Sequence, residues 1–200
     1  AGSRPMGLGK SAGFANQSDL PTGHERMLTA PQLTPDTLPD RWFGLRQFDV
    51  FVWNEPPPGG LGTDKAQAIR EWVQRGGHLV VVLPRVGQAW TDEANNPLYD
   101  ITPKVVVDRH EGVDLSPYSL LISKSREVRM PSSEVLQTFR PLNGALSDEA
   151  FCVLSGIERD AGKGPEWLVA RRYVGAGMVD LVGLDVGSSW MTAHLLPDPE

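Results

Sequence analysis

The stretch from Trp42 to Pro84, WFGLRQFDVFVWNEPPPGGLGTDKAQAIREWVQRGGHLVVVLP, constrains the fold more than any other part of the chain. It spells strand, helix and strand in succession. Asp49-Val-Phe-Val-Trp53 is a run of β-branched and aromatic residues that ends at the turn cluster Asn54-Glu55-Pro56-Pro57-Pro58-Gly59-Gly60. Thr63 is placed to cap the helix that follows, and Asp64 adds negative charge at its electropositive start. Ala66, Ile69, Trp72 and Val73 recur at helical spacing, and Gly76-Gly77 stops the helix behind Arg75. Leu79-Val-Val-Val-Leu83 is apolar throughout, the pattern of a parallel strand covered on both faces. The expectation is a right-handed βαβ unit at the centre of an α/β domain.

Downstream of it, Arg85 to Asp100 reads as a loop anchored by Trp90 and Pro97-Leu98-Tyr99. Val105-Val-Val107 and Leu120-Leu-Ile122 are further apolar runs, and Asp108-Arg-His-Glu-Gly112 reads as a turn between them. Strands are expected at Val135–Leu142, Cys152–Leu154, Trp167–Tyr173 and Met178–Leu184, the last two joined by the hairpin sequence Val174-Gly-Ala-Gly177. Upstream, Glu25-Arg-Met-Leu-Thr29 is a candidate first strand, and Thr37–Leu45 a short helical turn with Trp42, Phe43 and Leu45 packed inward. Together these give a mostly parallel sheet extended by antiparallel C-terminal strands.

The remaining composition narrows the function. Net charge is -6 with a pI near 5.2, which argues against nucleic acid as a partner. No window approaches the ~18 continuous apolar residues of a spanning helix, so no transmembrane segment is expected. Gly and Pro number 21 and 17 of 200 residues, enough to imply long ordered loops. The opening residues AGSRPMGLGK carry neither an initiator Met nor a signal-peptide core, and the chain is expected to be a piece of a longer protein. One domain is expected over residues 24–192, with an extended arm at 1–23 and a short tail at 193–200.

Side chains that could carry chemistry are few. Ligands of open α/β sheets bind beyond the carboxyl ends of the strands, which here places Asn54, Glu55, Arg85, Gln88 and Trp90 as the candidate ligand-binding residues. Cys152, the single cysteine, lies within Phe151-Cys-Val-Leu154 and reads as a buried strand residue rather than a nucleophile. His24, His78, His110 and His194 show no metal-ligand spacing, so no metal and no cofactor is expected. Asp92, Glu93, Asn95 and Asn96 cluster oxygens without the alternation or mid-loop glycine of a calcium loop.

The order and spacing of several phrases resemble one family. Leu38-Pro39, Trp42, Leu45 and Phe48-Asp49-Val50 come first, followed by Ala68-Ile69, Trp72-Val73 and Gly76-Gly77-His78-Leu79-Val80-Val81. The phrase YVGAGMVDLVGLDV from Tyr173 to Val186 comes last. The chain resembles, over most of Pro21 to Trp190, the class I glutamine-amidotransferase-like domains of uncharacterised bacterial membrane proteins. The resemblance implies a flavodoxin-like, three-layer α/β/α sandwich. It also implies an extracytoplasmic (periplasmic) domain of a membrane-anchored protein.

In amidotransferases of that class a nucleophilic cysteine follows a core strand, with a late His and Glu completing a triad. Here Pro84-Arg85-Val86-Gly87 follows the strand, and His194 and Glu200 are not in the tight His-x-Glu arrangement. Glutamine hydrolysis through an acyl-enzyme therefore has no covalent route. The expected function is a non-catalytic binding or scaffold module for a protein, peptide or glycan. The alternative is a hydrolase or transferase working through Glu55, Asp92 or His110.

Overall fold

The computed structural model describes residues 34–54, 57–83, 89–119, 130–142, 148–156 and 166–186. The βαβ unit forms as its sequence dictates. Strand β1 (Val50–Asn54) leads through a short loop to helix α1 (Thr63–Gln74), which returns the chain to β2 (His78–Val82), parallel to β1. Thr63 is the first helical residue and not the cap; Gly62 is the N-cap, and it offers no side-chain bond. The C-terminal end matches expectation more closely. Gly76, at φ 114°, donates to the carbonyl of Val73, and Gly77 donates to that of Trp72. This double bond pattern closes the helix, and only glycine enters its left-handed position without strain.

Four more segments complete the sheet: β3 (Val105–Val113), β4 (Glu134–Pro141), β6 (Trp167–Val174) and β7 (Gly177–Val182), in the order β1-β2-β7-β6-β4-β3. Strand β5 (Phe151–Ser155) pairs with β6 outside that path. The hairpin turns through Gly175-Ala176 as the sequence predicts, with Gly175 at φ 61°. Its tip packs on the end of α1. Ala176 donates to the Gln74 carbonyl, and a side chain at Gly177 would collide with the carbonyls of Val73 and Gly77.

Helix α1 buries Ala66, Ala68, Ile69, Trp72 and Val73. Of these, Ala66, Ile69, Trp72 and Val73 share one core cluster with Phe51, Trp53, Leu79, Val81, Val179, Leu181 and Ala170 from one face of the sheet. A second, smaller cluster of Leu115, Tyr118, Met130, Leu136 and Leu168 includes residues of β4 and β6.

The three-layer α/β/α, flavodoxin-like sandwich implied by the resemblance is not what forms. Helix α1 is the only α-helix lying wholly within the described residues; the chain there is predominantly β, with seven strands in one mixed sheet. Nor is the sheet mostly parallel. Only β1-β2 and β2-β7 pair in parallel, while the other four pairings are antiparallel. The physical reason lies in β2. Its apolar run predicts cover on both faces, yet Val80 is only half-buried and the same face of β2 begins with His78. A uniformly apolar run of five residues shows that a strand is central; it does not show that helices cover both its sides.

Three local expectations also change. Asp108–Gly112 is not a turn but part of β3, where Asp108 pairs with Arg140 and Arg109 with Glu111. Charges on a strand that has cross-strand partners need no turn to reach water. The Gly112 signal survives as a backbone at φ 66° beside a register shift between His110 and Val113. Phe43, expected inside, is 65% exposed, while Leu45 of the same turn is buried. Cys152, expected in the core, is exposed, because β5 is an outer strand. The candidate strand at Glu25–Thr29, the run Leu120–Ile122 and both terminal segments lie outside the described residues.

Candidate functional site

Of the five strand-end residues singled out in the sequence, Glu55, Arg85 and Gln88 lie outside the described residues. The other two are core residues. Trp90 is 1% exposed and meets Trp53 edge-to-face, with ring centroids 5.3 Å apart. Its carbonyl accepts from the Asn96 amide at 2.7 Å, so that Asn96 pins the loop around it. Asn54 ends β1 in register with Val82, and its side-chain amide nitrogen is buried with no hydrogen-bond partner among the described residues. Alternation along β1 puts Phe51 and Trp53 toward α1 and Asn54 on the opposite face. Asn54 and Trp90 therefore do not converge on one site.

The structure instead assembles two polar clusters on the sheet. The first centres on Asp180 of β7, a carboxylate with only 8% of its side chain exposed. Arg171, its cross-strand partner on β6, donates to both oxygens at 2.7 Å. His78, the diagonal neighbour on β2, shares a hydrogen bond with Asp180 Oδ2 at 2.9 Å. The hydrogen bonds from Arg171 to Asp180 hold the guanidinium more firmly charged than usual. Two of these residues had a sequence signal. Arg171 and Asp180 each stand three positions outward from the strand ends that flank the two-residue hairpin loop, so hairpin register alone places them opposite one another.

The second cluster joins His110 of β3, Thr138 of β4 and Glu166, the residue just before β6. His110 Nε2 lies 3.0 Å from Thr138 Oγ1 and 3.1 Å from Glu166 Oε2. Thr138 donates to the same Glu166 oxygen at 2.9 Å. A hydroxyl, an imidazole and a carboxylate meet here, but not in relay order. A nucleophilic triad needs the carboxylate on one imidazole nitrogen and the hydroxyl on the other. Here both converge on Nε2, and the hydroxyl proton is directed at the carboxylate.

The remaining candidates separate. Cys152 is exposed, yet partial desolvation pushes its thiol above the usual range, away from the thiolate a nucleophile requires. Asp92 is held below the usual carboxylate range by the Asn95 side-chain amide and the Ala94 N–H, which organise a surface turn. No group of three or more His, Cys, Asp or Glu residues able to hold a metal occurs among the described residues. A shallow depression of about 400 Å³ lies against the turn before β1, lined by Phe43, Gly44, Arg46 and Gln47. Beside it Trp42 meets Phe43 edge-to-face and carries the Arg75 guanidinium 4.3 Å from its ring centroid.

No protein-family model matches the sequence, and none of the curated proteins is a significant match. Among solved structures, the chain is similar to "Cytoplasmic Protein STM3548" from Salmonella typhimurium, at 14% identity and a TM-score of 0.49. That match covers 79% of this chain and 73% of the other. An exo-beta-1,4-mannosidase, Op5Man5 from Opitutaceae bacterium strain TAV5, matches at 16% identity and a TM-score of 0.31, over 74% of this chain and 22% of that one. At these values neither likeness bears on function. No helix among the described residues is long and apolar enough to cross a membrane.

Proposed function

We propose that this chain is a non-catalytic binding module that recognises a protein or peptide partner. The observation that carries the reading is the shallow depression lined by Phe43, Gly44, Arg46 and Gln47. It is open, presents an aromatic ring that is 65% exposed, and contains no pair of titratable groups. Exposed aromatics beside an arginine are the residues that anchor protein interfaces. An enzyme site, by contrast, brings titratable groups together around a space that a substrate can enter.

The internal bonding of the polar clusters supports the same reading. Both oxygens of Asp180 are occupied by Arg171, and Glu166 accepts from Thr138. A carboxylate so engaged is a poor general base. Placement outside the cytoplasm, in a membrane-anchored protein, is part of this proposal and rests on the sequence phrases given above.

The test has two arms. Pull-down from the native membrane fraction should recover a defined partner, and Phe43→Ala should lose it. The purified domain should release no glutamate from glutamine; turnover abolished by Cys152→Ala would overturn the reading. One observation favours a second reading, a hydrolase centred on His110, Thr138 and Glu166, because three groups of the right chemistry meet there. Hydrolysis of ester substrates lost in His110→Ala but retained in His78→Ala would establish it.

A further inference from the structure

The arginines of the described residues fall into two groups. Arg70, Arg109, Arg140, Arg171 and Arg172 each meet a carboxylate. Arg41, Arg46 and Arg75 meet none among the described residues, and all three are exposed. These three share one corner of the molecule. Arg41 and Arg46 flank the turn Trp42–Leu45, and Arg75 reaches the same turn from the C-cap of α1, over the Trp42 ring. Asp40 and Asp49, the nearest carboxylates along the chain, form no ion pair with any of them. In a chain with net charge -6, acid is in excess, so a corner of unmatched guanidiniums is the exception.

The corner is also held in shape. Gly44 donates to the carbonyl of Arg41 and Phe48 to that of Leu45, each at 3.0 Å. The Trp72 indole N–H donates to the Phe48 carbonyl at 3.1 Å, which ties the turn to α1. A side chain at Gly44 would collide with Pro39, so the turn packs closely on the segment before it. Little conformational freedom is left to lose when a partner settles there.

Resting on the reading of this depression as a binding surface, we propose that its partner is an acidic peptide segment. An apolar residue of that segment sits on Phe43, and flanking Asp or Glu carboxylates are taken by Arg46 and Arg75. Charge complementarity selects this occupant, because a guanidinium fork matches a carboxylate with two parallel hydrogen bonds. The order along the corner is Arg75, Trp42, Phe43, Arg46. Arg75 lies 4.3 Å from the Trp42 ring centroid, and the Trp42 and Phe43 centroids are 6.2 Å apart. Arg46 lines the depression together with Phe43. An extended chain advances ~3.3 Å per residue, so carboxylates up to about three residues from the apolar anchor reach both guanidiniums. The net charge of -6 opposes the approach of an acidic chain. Charges beyond ~8 Å are largely screened at physiological salt, so at contact the arginines of the corner decide.

The experiment is fluorescence polarisation of the full chain with a labelled peptide in which a central Phe or Leu is flanked by glutamates. Saturable binding is expected, weaker for the glutamine counterpart and weaker as salt rises from ~50 to ~500 mM. Arg46→Gln and Arg75→Gln should each weaken it by up to ~fivefold, the scale of an exposed ion pair. Arg46→Glu combined with Arg75→Glu should exchange the preference, losing the glutamate peptide and gaining its lysine counterpart, with circular dichroism unchanged. No binding, equal binding of the glutamine peptide, tighter binding of oligothymidylate, or a double variant without effect would each overturn the proposal. The two readings fail separately. A partner captured through Phe43 but indifferent to Arg46→Gln and Arg75→Gln overturns the acidic class alone; absence of any Phe43-dependent partner overturns the binding module as well.

Discussion

Replacing Asp180 by asparagine tests the central polar cluster. Asparagine keeps the shape of aspartate but removes its charge and one of its two acceptors. In the native protein the carboxylate receives two bonds of 2.7 Å from Arg171 and one of 2.9 Å involving His78. A hydrogen bond to a charged group contributes ~1.5–3 kcal/mol. In the variant one such bond is lost, and another becomes an ordinary neutral acceptor. The new amide hydrogens also point toward groups that are themselves donors.

Breaking a fully buried ion pair costs ~3–5 kcal/mol. Arg171 keeps 22% of its side chain exposed, so water recovers part of that. We expect Asp180→Asn to lose ~2–4 kcal/mol, seen in urea unfolding as a lower midpoint at unchanged slope. Arg171→Met combined with Asp180→Leu should recover most of the loss, because no uncompensated charge then remains on the sheet. A single-variant loss below ~1 kcal/mol, or a double variant less stable than Asp180→Asn, would refute the reasoning.

Trp90→Ala should cost ~3–5 kcal/mol in the same assay, the range for emptying a buried indole site; a neutral result would return Trp90 to the ligand-binding role expected from the sequence. Gly177→Ala should cost ~2–3 kcal/mol, because the added methyl meets two backbone carbonyls that cannot move aside. Thermal melting of the glycine and alanine forms decides that point. Cys152, whose thiol titrates above the ordinary value, holds less thiolate than a free cysteine at any pH below it. It should therefore react with iodoacetamide at pH 8 more slowly than a model thiol, despite being exposed; an equal or faster rate would contradict the assignment.

How much of this was legible in the sequence depends on the kind of signal involved. The βαβ unit was readable because each element carries its own period and stop: Ala66, Ile69, Trp72 and Val73 on one helix face, and Gly76-Gly77 behind it. The four later strands and the hairpin were readable for the same reason. The fold class was not, because it depends on what covers the second face of β2, and the residues of β2 describe only β2. Asp108–Gly112 was misread because charge on a strand resembles charge on a turn until the partners Arg140 and Thr138 are in place. Of the site, Arg171 opposite Asp180 follows from hairpin register. His78 and the convergence of His110, Thr138 and Glu166 depend on pairings between distant segments, which no local pattern encodes.

The place of β7 in the sheet has a consequence for how the molecule is made. It lies between β2 and β6, and the bond between His78 and Asp180 closes a separation of 102 residues. Long-range parallel pairing is slow, since chain entropy is lost before contacts compensate. On the ribosome, β1, α1 and β2 emerge well before the strand that completes their sheet. Until β7 arrives, one edge of β2 has no partner, and Leu79 and Val81 lack the neighbours Val179 and Leu181. The β6-β7 hairpin is local and forms quickly once synthesised. Closing the sheet therefore requires that hairpin to dock onto the βαβ unit, with its glycine tip against the end of α1.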